Sequence, residues 1–474
     1  MYLLGLITVG RFTLQSPVRY IGAGLSPPGI YEGSPWGCAE TKYYIETYGC
    51  ALAEYESLIM RNTLEREGYT QALSPSEADV IIVNTCAVRL DTEQRIAERL
   101  EQLSKLYPGK RLVVAGCLAR ARPGLIRRIA PHASLLAPQA AHHIVRAVKE
   151  RVVLLRGERD LRSLPRAPLA GRVATIMIQE GCRNKCSYCI TKVSRGDPKS
   201  MPPRLIVEQA LESVKRGAVE IRLTGTDTAA YGVDLSERIT LSDLILMIID
   251  KLDSEGFGPD SVRIRIGMMT PEEALRILDS LLYAYRDRRV YKFFHIPVQS
   301  GSDKVLKIMG RQYTIDEFIG LHREVKGVYP YSLFATDIIV GHPGEGEEEF
   351  LETVSLIEKL RFERVHLAQY SLRPHTRAAS MPQVPDPVKK ERSTIITRLV
   401  ERIGSEIYGS YRGRRVKALV TGRSFRGNAY TARLDNYFPI VLGGNGASME
   451  GRWVVAEVVD SSFFDLRGRV VEVE

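Results

Sequence analysis

The stretch Gly181-Cys182-Arg183-Asn184-Lys185-Cys186-Ser187-Tyr188-Cys189-Ile190 holds three of the seven cysteines within eight residues, spaced C-x3-C-x2-C. One loop of this spacing can wrap three thiolates around a face of an iron–sulfur cubane and leave one iron open to a small molecule. Zinc is the competing occupant. Closed zinc sites take four ligands, and neither His nor a further Cys follows within reach.

Working back from this loop, Cys50, Cys86 and Cys117 each end an apolar run. Tyr43 to Tyr48 reads as a strand ending at Gly49-Cys50, Val80 to Val83 runs into Asn84-Thr85-Cys86, and Arg111 to Ala115 runs into Gly116-Cys117. Helical patterns over Glu54 to Glu67 and Thr92 to Leu106 separate them, so the pattern is βαβαβ and predicts a parallel sheet. All carboxyl ends of such a sheet share one edge. The three cysteines can meet there as a second three-thiolate set; the plainer alternative is three small buried residues.

After Cys117 come a helical segment over Leu125 to Ala130, a basic helix over Ala141 to Glu150, and an Arg-, Leu- and Pro-rich linker over residues 151–169. About six strand–helix alternations then run from residue 170 to 408. They predict a partial (β/α) barrel with its chemistry at the strand carboxyl ends. Polar residues fall at those ends: Gly225, Thr226 and Asp227, then His295, Gln299 and Ser300, then Asp337 and His342. Each taken singly can equally be a loop cap.

From Tyr411 the pattern turns to short strands with Gly-rich turns, the mark of a small antiparallel β barrel or sandwich. Between Tyr411 and Arg433 lie seven basic residues and no acidic one: Arg412, Arg414, Arg415, Lys417, Arg423, Arg426 and Arg433. Tyr411, Phe425, Tyr430, Tyr437 and Phe438 interleave as stacking surfaces, a combination suited to unpaired RNA. A solvated basic face is the ordinary alternative.

The whole chain has 474 residues, enough for two to four domains, and a net charge of +10 that suits a polyanionic partner. Residues 1–41 read as a weakly ordered extension with poor signal-peptide features and Cys38 as a bystander. With six cysteines in two sets, little remains for disulfides, which argues for a reducing cytoplasm. No run of ~18 apolar residues suggests a membrane span.

These motifs resemble those of the radical S-adenosylmethionine (SAM) methylthiotransferases. Thr47-Tyr48-Gly49-Cys50, Asn84-Thr85-Cys86-Ala87-Val88-Arg89 and Ala115-Gly116-Cys117-Leu118 look like the motifs of that family's N-terminal domain, with Ala53 where the family usually has Asn. The runs His295 to Asp303, Met309 to Tyr313, Asp337 to Glu345 and Ser371 to Ser380 match its barrel, and residues 409–474 match its TRAM domain. The resemblance implies an α/β fold with an N-terminal domain over residues 42–150, and an enzyme with two [4Fe–4S] clusters. One cluster, on Cys182, Cys186 and Cys189, cleaves SAM to a radical with an electron from a donor. The other, on Cys50, Cys86 and Cys117, carries sulfur. Gly225, Thr226, Gln299, Ser300 and Asp337 become candidates for SAM contact, and Asp227 and Tyr231 for the substrate. The stretch Asp227-Thr228-Ala229-Ala230-Tyr231-Gly232 looks like the branch acting on N6-threonylcarbamoyladenosine in the tRNA anticodon stem-loop. Isopentenyl-adenosine and a ribosomal-protein aspartate are the nearer alternatives, and a non-catalytic iron–sulfur RNA-binding or redox-sensing protein is the one of another class.

Overall fold

Short apolar runs alternating with amphipathic segments build a parallel sheet in the first unit of the computed structural model, which describes residues 41–424, 429–443 and 448–474. Residues 1–40 with Cys38, and Phe425 and Arg426 of the basic segment, lie outside the described residues. The chain divides into two units between Leu164 and Pro165.

The first unit runs β1 (Lys42–Thr47), α1 (Ala51–Arg66), β2 (Thr70–Gln71), β3 (Val80–Thr85), α2 (Leu90–Leu106), β4 (Arg111–Gly116), α3 (Cys117–Ala121), α4 (Pro123–Ile129), β5 (Ser134–Leu136), α5 (Ile144–Lys149) and β6 (Val153–Leu154). The sheet order is β2-β1-β3-β4-β5-β6, parallel throughout. Every residue of β3 is buried, as a strand covered on both faces requires. The sheet reaches into the stretch read as linker, because Val153 and Leu154 pair with β5. A two-residue strand has no periodicity to read. Gly116 closes β4 at φ +94, where a Cβ would lie 2.4 Å from Asn84 Oδ1 and 2.6 Å from the Thr85 carbonyl oxygen.

The second unit begins with β7 (Leu169–Ala170), β8 (Val173–Glu180), α6 (Ile190–Arg195), β9 (Lys199–Ser200), α7 (Pro203–Lys215), β10 (Glu220–Gly225), α8 (Leu241–Ser254), β11 (Arg263–Ile266), α9 (Pro271–Arg276) and α10 (Leu278–Ala284). It continues with β12 (Phe293–His295), α11 (Asp303–Met309), α12 (Ile315–Val328), β13 (Leu333–Val340), α13 (Glu347–Leu360), β14 (Arg364–Gln369) and α14 (Asp386–Gly409). Strands β8, β10 and β11 pair in parallel, as do β12, β13 and β14. The Ile264–Val290 bridge joins the two groups. Among the described residues β14 does not pair with β8, so six strands form the expected partial barrel.

The faces of β13 follow from period-two alternation. Phe334 turns to the helix layer, against Phe318 and His322 of α12 and Phe362. Leu333, Ala335 and Asp337 therefore face the concave side.

The last segment holds β15 (Arg415–Arg423), β16 (Ala429–Arg433), β17 (Pro439–Gly443), β18 (Trp453–Ser461) and β19 (Leu466–Val473). They close into a barrel in the order β15-β16-β17-β19-β18. The expected antiparallel pattern holds except between β17 and β19, which pair in parallel. A closed ring of five strands cannot alternate direction all the way round, so at least one pair must be parallel. Its core is continuous with Phe293, Leu333 and Ala335, so this barrel floors the concave side at the amino ends of β12 and β13. No helix among the described residues is long and apolar enough to cross a membrane.

Gly116→Ala is expected to lower unfolding free energy by about 2–4 kcal/mol, through left-handed strain and overlap with Asn84. Gly124→Ala, where a Cβ meets nothing within 4 Å, should be neutral or mildly stabilising. Chemical denaturation of the two variants checks the contrast.

Candidate active site

The loop bearing Cys182, Cys186 and Cys189 leaves the carboxyl end of β8. Gly181 turns it at φ +80, and a Cβ there would lie 1.9 Å from the Asp197 carbonyl oxygen, so only glycine fits. Gly181 N donates to Thr226 Oγ1 at 3.1 Å, and Gln179 Nε2 donates to the Gly181 carbonyl at 2.7 Å. Lys192 Nζ bonds the Cys182 carbonyl and the Asp197 carboxylate. Asn184 Nδ2 donates to Glu272 Oε1 at 2.6 Å. Arg311 reaches Glu272 Oε2 and Cys186 Sγ, both at 3.4 Å. Ser187 N donates to the Met309 carbonyl at 2.8 Å.

His342 completes the frame. Burial pushes its pKa down to about 4, so at neutral pH the ring is uncharged. Nδ1–H then donates to the Pro343 carbonyl at 2.8 Å, and Nε2 accepts from the Ser187 hydroxyl at 3.0 Å. The loop is thus tied to the strand ends after β10, β11 and β13.

None of the six described cysteines is in a disulfide. Burial pushes the Cys182 thiol up to about 12, with Asp227 adding to the shift. Burial also raises Cys189. Thiolates at these positions need a cationic partner. A cavity of about 730 Å³ opens beside the loop, lined by Cys186, Cys189, Lys185, Lys192, Glu272 and Arg377 among others.

In the first unit, Thr47, Asn84 and Ala115 stand in register across β1, β3 and β4. Cys50, Cys86 and Cys117 follow two or three residues later on one edge. Cys50 precedes α1, and Cys117 is the first residue of α3. At Gly49, φ +141, a Cβ would lie 3.1 Å from that of Ala53 and 3.4 Å from that of Cys86, so the turns of the first two cysteines pack together. Val88 N donates to Cys86 Sγ at 3.4 Å. At the family's usual Asn position, Ala53 contributes its carbonyl, which accepts from Asn84 Nδ2 at 2.8 Å.

The polar residues at the barrel strand ends divide. Thr226 meets the cysteine loop as described, with Gly225 next to it, where a Cβ would lie 3.1 Å from Gln179. Asp227 is fully buried and accepts from Thr270 N and Oγ1 at 3.0 and 2.6 Å. Burial raises its pKa to about 6. Tyr231 is buried, its hydroxyl donating to the Met201 carbonyl at 2.9 Å. Both hold the turn after β10 in place. Ser300 is buried against Thr353 and Ser302. Gln299 sits at φ 71 with a buried Oε1 that has no partner among the described residues. Asp337 Oδ1 receives two imidazoles, His295 and His366.

Comparison with known proteins gives the family. Residues 176–357 match the radical SAM superfamily, residues 42–137 the uncharacterized protein family UPF0004, and residues 409–471 the TRAM domain. A protein of Pyrococcus horikoshii named probable threonylcarbamoyladenosine tRNA methylthiotransferase is 38% identical, over 87% of this chain and 96% of its own. A Thermotoga petrophila protein named tRNA-2-methylthio-N(6)-dimethylallyladenosine synthase is 34% identical, over 91% and 98%. The chain belongs to the radical SAM methylthiotransferase family. Among solved structures, the radical SAM methyltransferase TsrM of Kitasatospora setae, with cobalamin and a [4Fe–4S] cluster bound, shares the fold. Its TM-score is 0.50 at 12% identity, covering 72% of this chain and 77% of that one. Membership of the radical SAM superfamily brings SAM and a [4Fe–4S] cluster as cofactors, and the TRAM domain brings RNA as the class of partner.

In this methylthiotransferase the TRAM barrel corrects part of the sequence reading. Tyr430, Tyr437 and Phe438 are buried in its core, with Tyr411 packed against them, so these rings are not stacking platforms. The basic residues also find carboxylates from outside their own segment. Arg412 pairs with Asp460, Lys417 with Glu474 and Arg423 with Glu450. Arg433 lies over the Tyr437 ring at 4.4 Å. Arg414 and Arg415 are exposed.

Arg311 and Glu272 were not singled out as site residues by the sequence. The available signal was a carboxylate just past a strand end, two residues beyond Thr270. Both side chains are under one-tenth exposed. Glu272→Ala should therefore cost about 3–5 kcal/mol by stranding a buried guanidinium. Urea unfolding of the full chain measures it.

Proposed function

We propose that this protein converts N6-threonylcarbamoyladenosine in the tRNA anticodon loop to its 2-methylthio derivative, in the cytoplasm, with reducing equivalents from a separate electron donor. The observation that carries the reading is the presence of two three-cysteine sets, each following parallel-sheet carboxyl ends, in a chain aligned over 84% and 87% of its length with archaeal proteins named probable threonylcarbamoyladenosine tRNA methylthiotransferase.

Cys182, Cys186 and Cys189 are assigned to one [4Fe–4S] cluster and Cys50, Cys86 and Cys117 to a second. The donor sets fit. Each is three thiols outside any disulfide, and three ligands suit a cubane with one open iron better than a closed zinc site. When bound, SAM and the clusters supply the radical chemistry, the methyl group and the sulfur. The chain's own contribution is placement and exclusion of water. Arg311 sets a positive charge against Cys186. Gly225 and Thr226, at the edge of the cysteine loop, are assigned to the amino-acid end of SAM. Gln299 is assigned to a ligand hydrogen bond that its buried Oε1 lacks. Ser300, Asp227 and Tyr231 keep the loops that carry these groups in shape.

On the RNA side, Arg414 and Arg415 are assigned to phosphate contacts. Arg412, Lys417, Arg423 and Arg433 add to the field at reduced strength, since three of them already have carboxylate partners. An anticodon loop offers unpaired bases to such a surface without breaking a duplex.

Nucleoside mass spectrometry on tRNA from cells with and without the gene tests the activity. The expected result is loss of 2-methylthio-N6-threonylcarbamoyladenosine with accumulation of its precursor; an unchanged profile rejects it. Cys186→Ala should abolish 5′-deoxyadenosine formation while RNA still binds. Cys86→Ala should lower iron to about half while SAM cleavage continues, since the sets rest on separate thiolates. Joint replacement of Arg414 and Arg415 by Gln should weaken tRNA binding and lower its salt slope by about two.

A further inference from the structure

The concave wall of the strand barrel carries a polar group that the cysteine chemistry does not use. His295 Nε2 lies 2.9 Å from Asp337 Oδ1, and His366 Nδ1 lies 2.8 Å from the same oxygen. The three residues come from the adjacent strands β12, β13 and β14. Asp337 and His366 are register partners, and the two rings stand edge to face at 5.0 Å.

The protonation pattern follows from these contacts. Burial disfavours the Asp337 carboxylate, but the two imidazoles outweigh it and hold the acid well below its usual range. An ionised oxygen only accepts, so His295 Nε2 and His366 Nδ1 must each carry a proton. Burial lowers the pKa of His366 despite Asp337, so its ring is neutral and its remaining nitrogen, Nε2, is an acceptor. His366 is hemmed in by its neighbours yet 45% exposed at the side chain, so part of its ring can be reached by a ligand.

The surroundings say which way this space faces. Below it, Phe293 and Ala335 join the TRAM core, and Tyr437 packs on Phe293 at 5.0 Å. That side is closed by these rings, with the Arg265 guanidinium over Phe293 at 4.9 Å and the Tyr437 hydroxyl donating to Glu220 at 3.0 Å. Toward the strand carboxyl ends, Gln299 N donates to the Asp337 carbonyl at 2.8 Å, and the partnerless Gln299 Oε1 stands one step further on. The concave wall therefore carries acceptors above an aromatic floor that also holds the Arg265 guanidinium, and Gln299 connects it to the strand carboxyl ends.

We propose that the His295–Asp337–His366 triad receives the hydrogen-bond donors of the substrate's N6 substituent and so selects which modified adenosine is taken. This rests on the function proposed above. A threonylcarbamoyl group brings ureido N–H groups and a hydroxyl to an acceptor wall, with its carboxylate directed away from the ionised Asp337. A dimethylallyl group brings hydrocarbon and would leave the imidazole acceptor desolvated and unpaired. A site built to hydrogen-bond its ligand rejects the apolar analogue for that reason. Asp337 acts here as a positioning residue, since it sets the tautomer and orientation of both rings. The same three residues offer ligand atoms within 4.8 Å of one another and could gather a divalent cation. The convergence of both imidazoles on one oxygen at hydrogen-bond distance favours the protonated network.

The test uses the full-length, cluster-reconstituted protein and three anticodon stem-loops. They carry N6-threonylcarbamoyladenosine, isopentenyl-adenosine or plain adenosine at the same position. Fluorescence anisotropy gives Kd for each, and the ratio between stem-loops cancels the shared phosphate contribution. His366→Phe is expected to cut the preference for the threonylcarbamoyl stem-loop over the plain one by about tenfold, the size of one lost hydrogen bond to a buried partner. His366→Gln, which keeps an acceptor, should recover most of it. Preference unchanged in His366→Phe overturns the triad as the receptor. So does stoichiometric zinc or iron beyond the clusters that disappears in both variants. Wild-type protein that turns over the isopentenyl stem-loop and not the threonylcarbamoyl one overturns the proposed substrate, and the triad's role falls with it.

Discussion

Parallel strand pairing is the constraint on which the rest depends. It brings the carboxyl ends of segments far apart in sequence onto one edge, and the catalytic assignments in this chain lie at such edges. Cys50, Cys86 and Cys117 span nearly seventy residues, yet the Thr47, Asn84 and Ala115 register brings the strand ends that precede them onto one edge. In the second unit the cysteine loop leaves β8 and is tied to the strand ends of β10, β11 and β13. Loosening any one strand would move a thiol relative to its companions.

Holding thiols at a buried edge carries an electrostatic cost, which the loops offset with paired charge. Burial and Asp227 together disfavour a Cys182 thiolate, while Arg311 stands against Cys186 and is itself neutralised by Glu272. The pair makes the positive charge tolerable in a place with little solvent. On the concave wall the same logic yields a different outcome. Asp337 is ionised because two imidazole N–H groups donate to it, and the charge stays inside the network.

Much of this was legible without coordinates. The three apolar runs ending in cysteine, and the C-x3-C-x2-C loop, were local patterns whose geometric meaning follows from strand topology alone. The second unit's strand–helix alternation was equally plain. What could not be read were partners supplied from elsewhere in the chain. The acid-free run from Arg412 to Arg433 looked uniformly cationic, but Asp460 arrives from β18, Glu450 from the turn before it and Glu474 from the residue after β19. Tyr430 and Tyr437 looked like exposed stacking rings, and closure of the barrel buried them. His366 lay unremarked inside a strand pattern, because a single histidine has no periodicity.

By itself, then, the sequence determined the class of chemistry, since thiol spacing and the strand patterns preceding the thiols are local properties of the chain. It also determined that the protein is α/β with a small β module at its end. Only the tertiary structure decided which charges remain unpaired, which rings are core, and how two histidines and an aspartate from three strands come to share one oxygen. Those outcomes depend on strand register and barrel closure, which act between residues tens of positions apart and leave no mark on local composition.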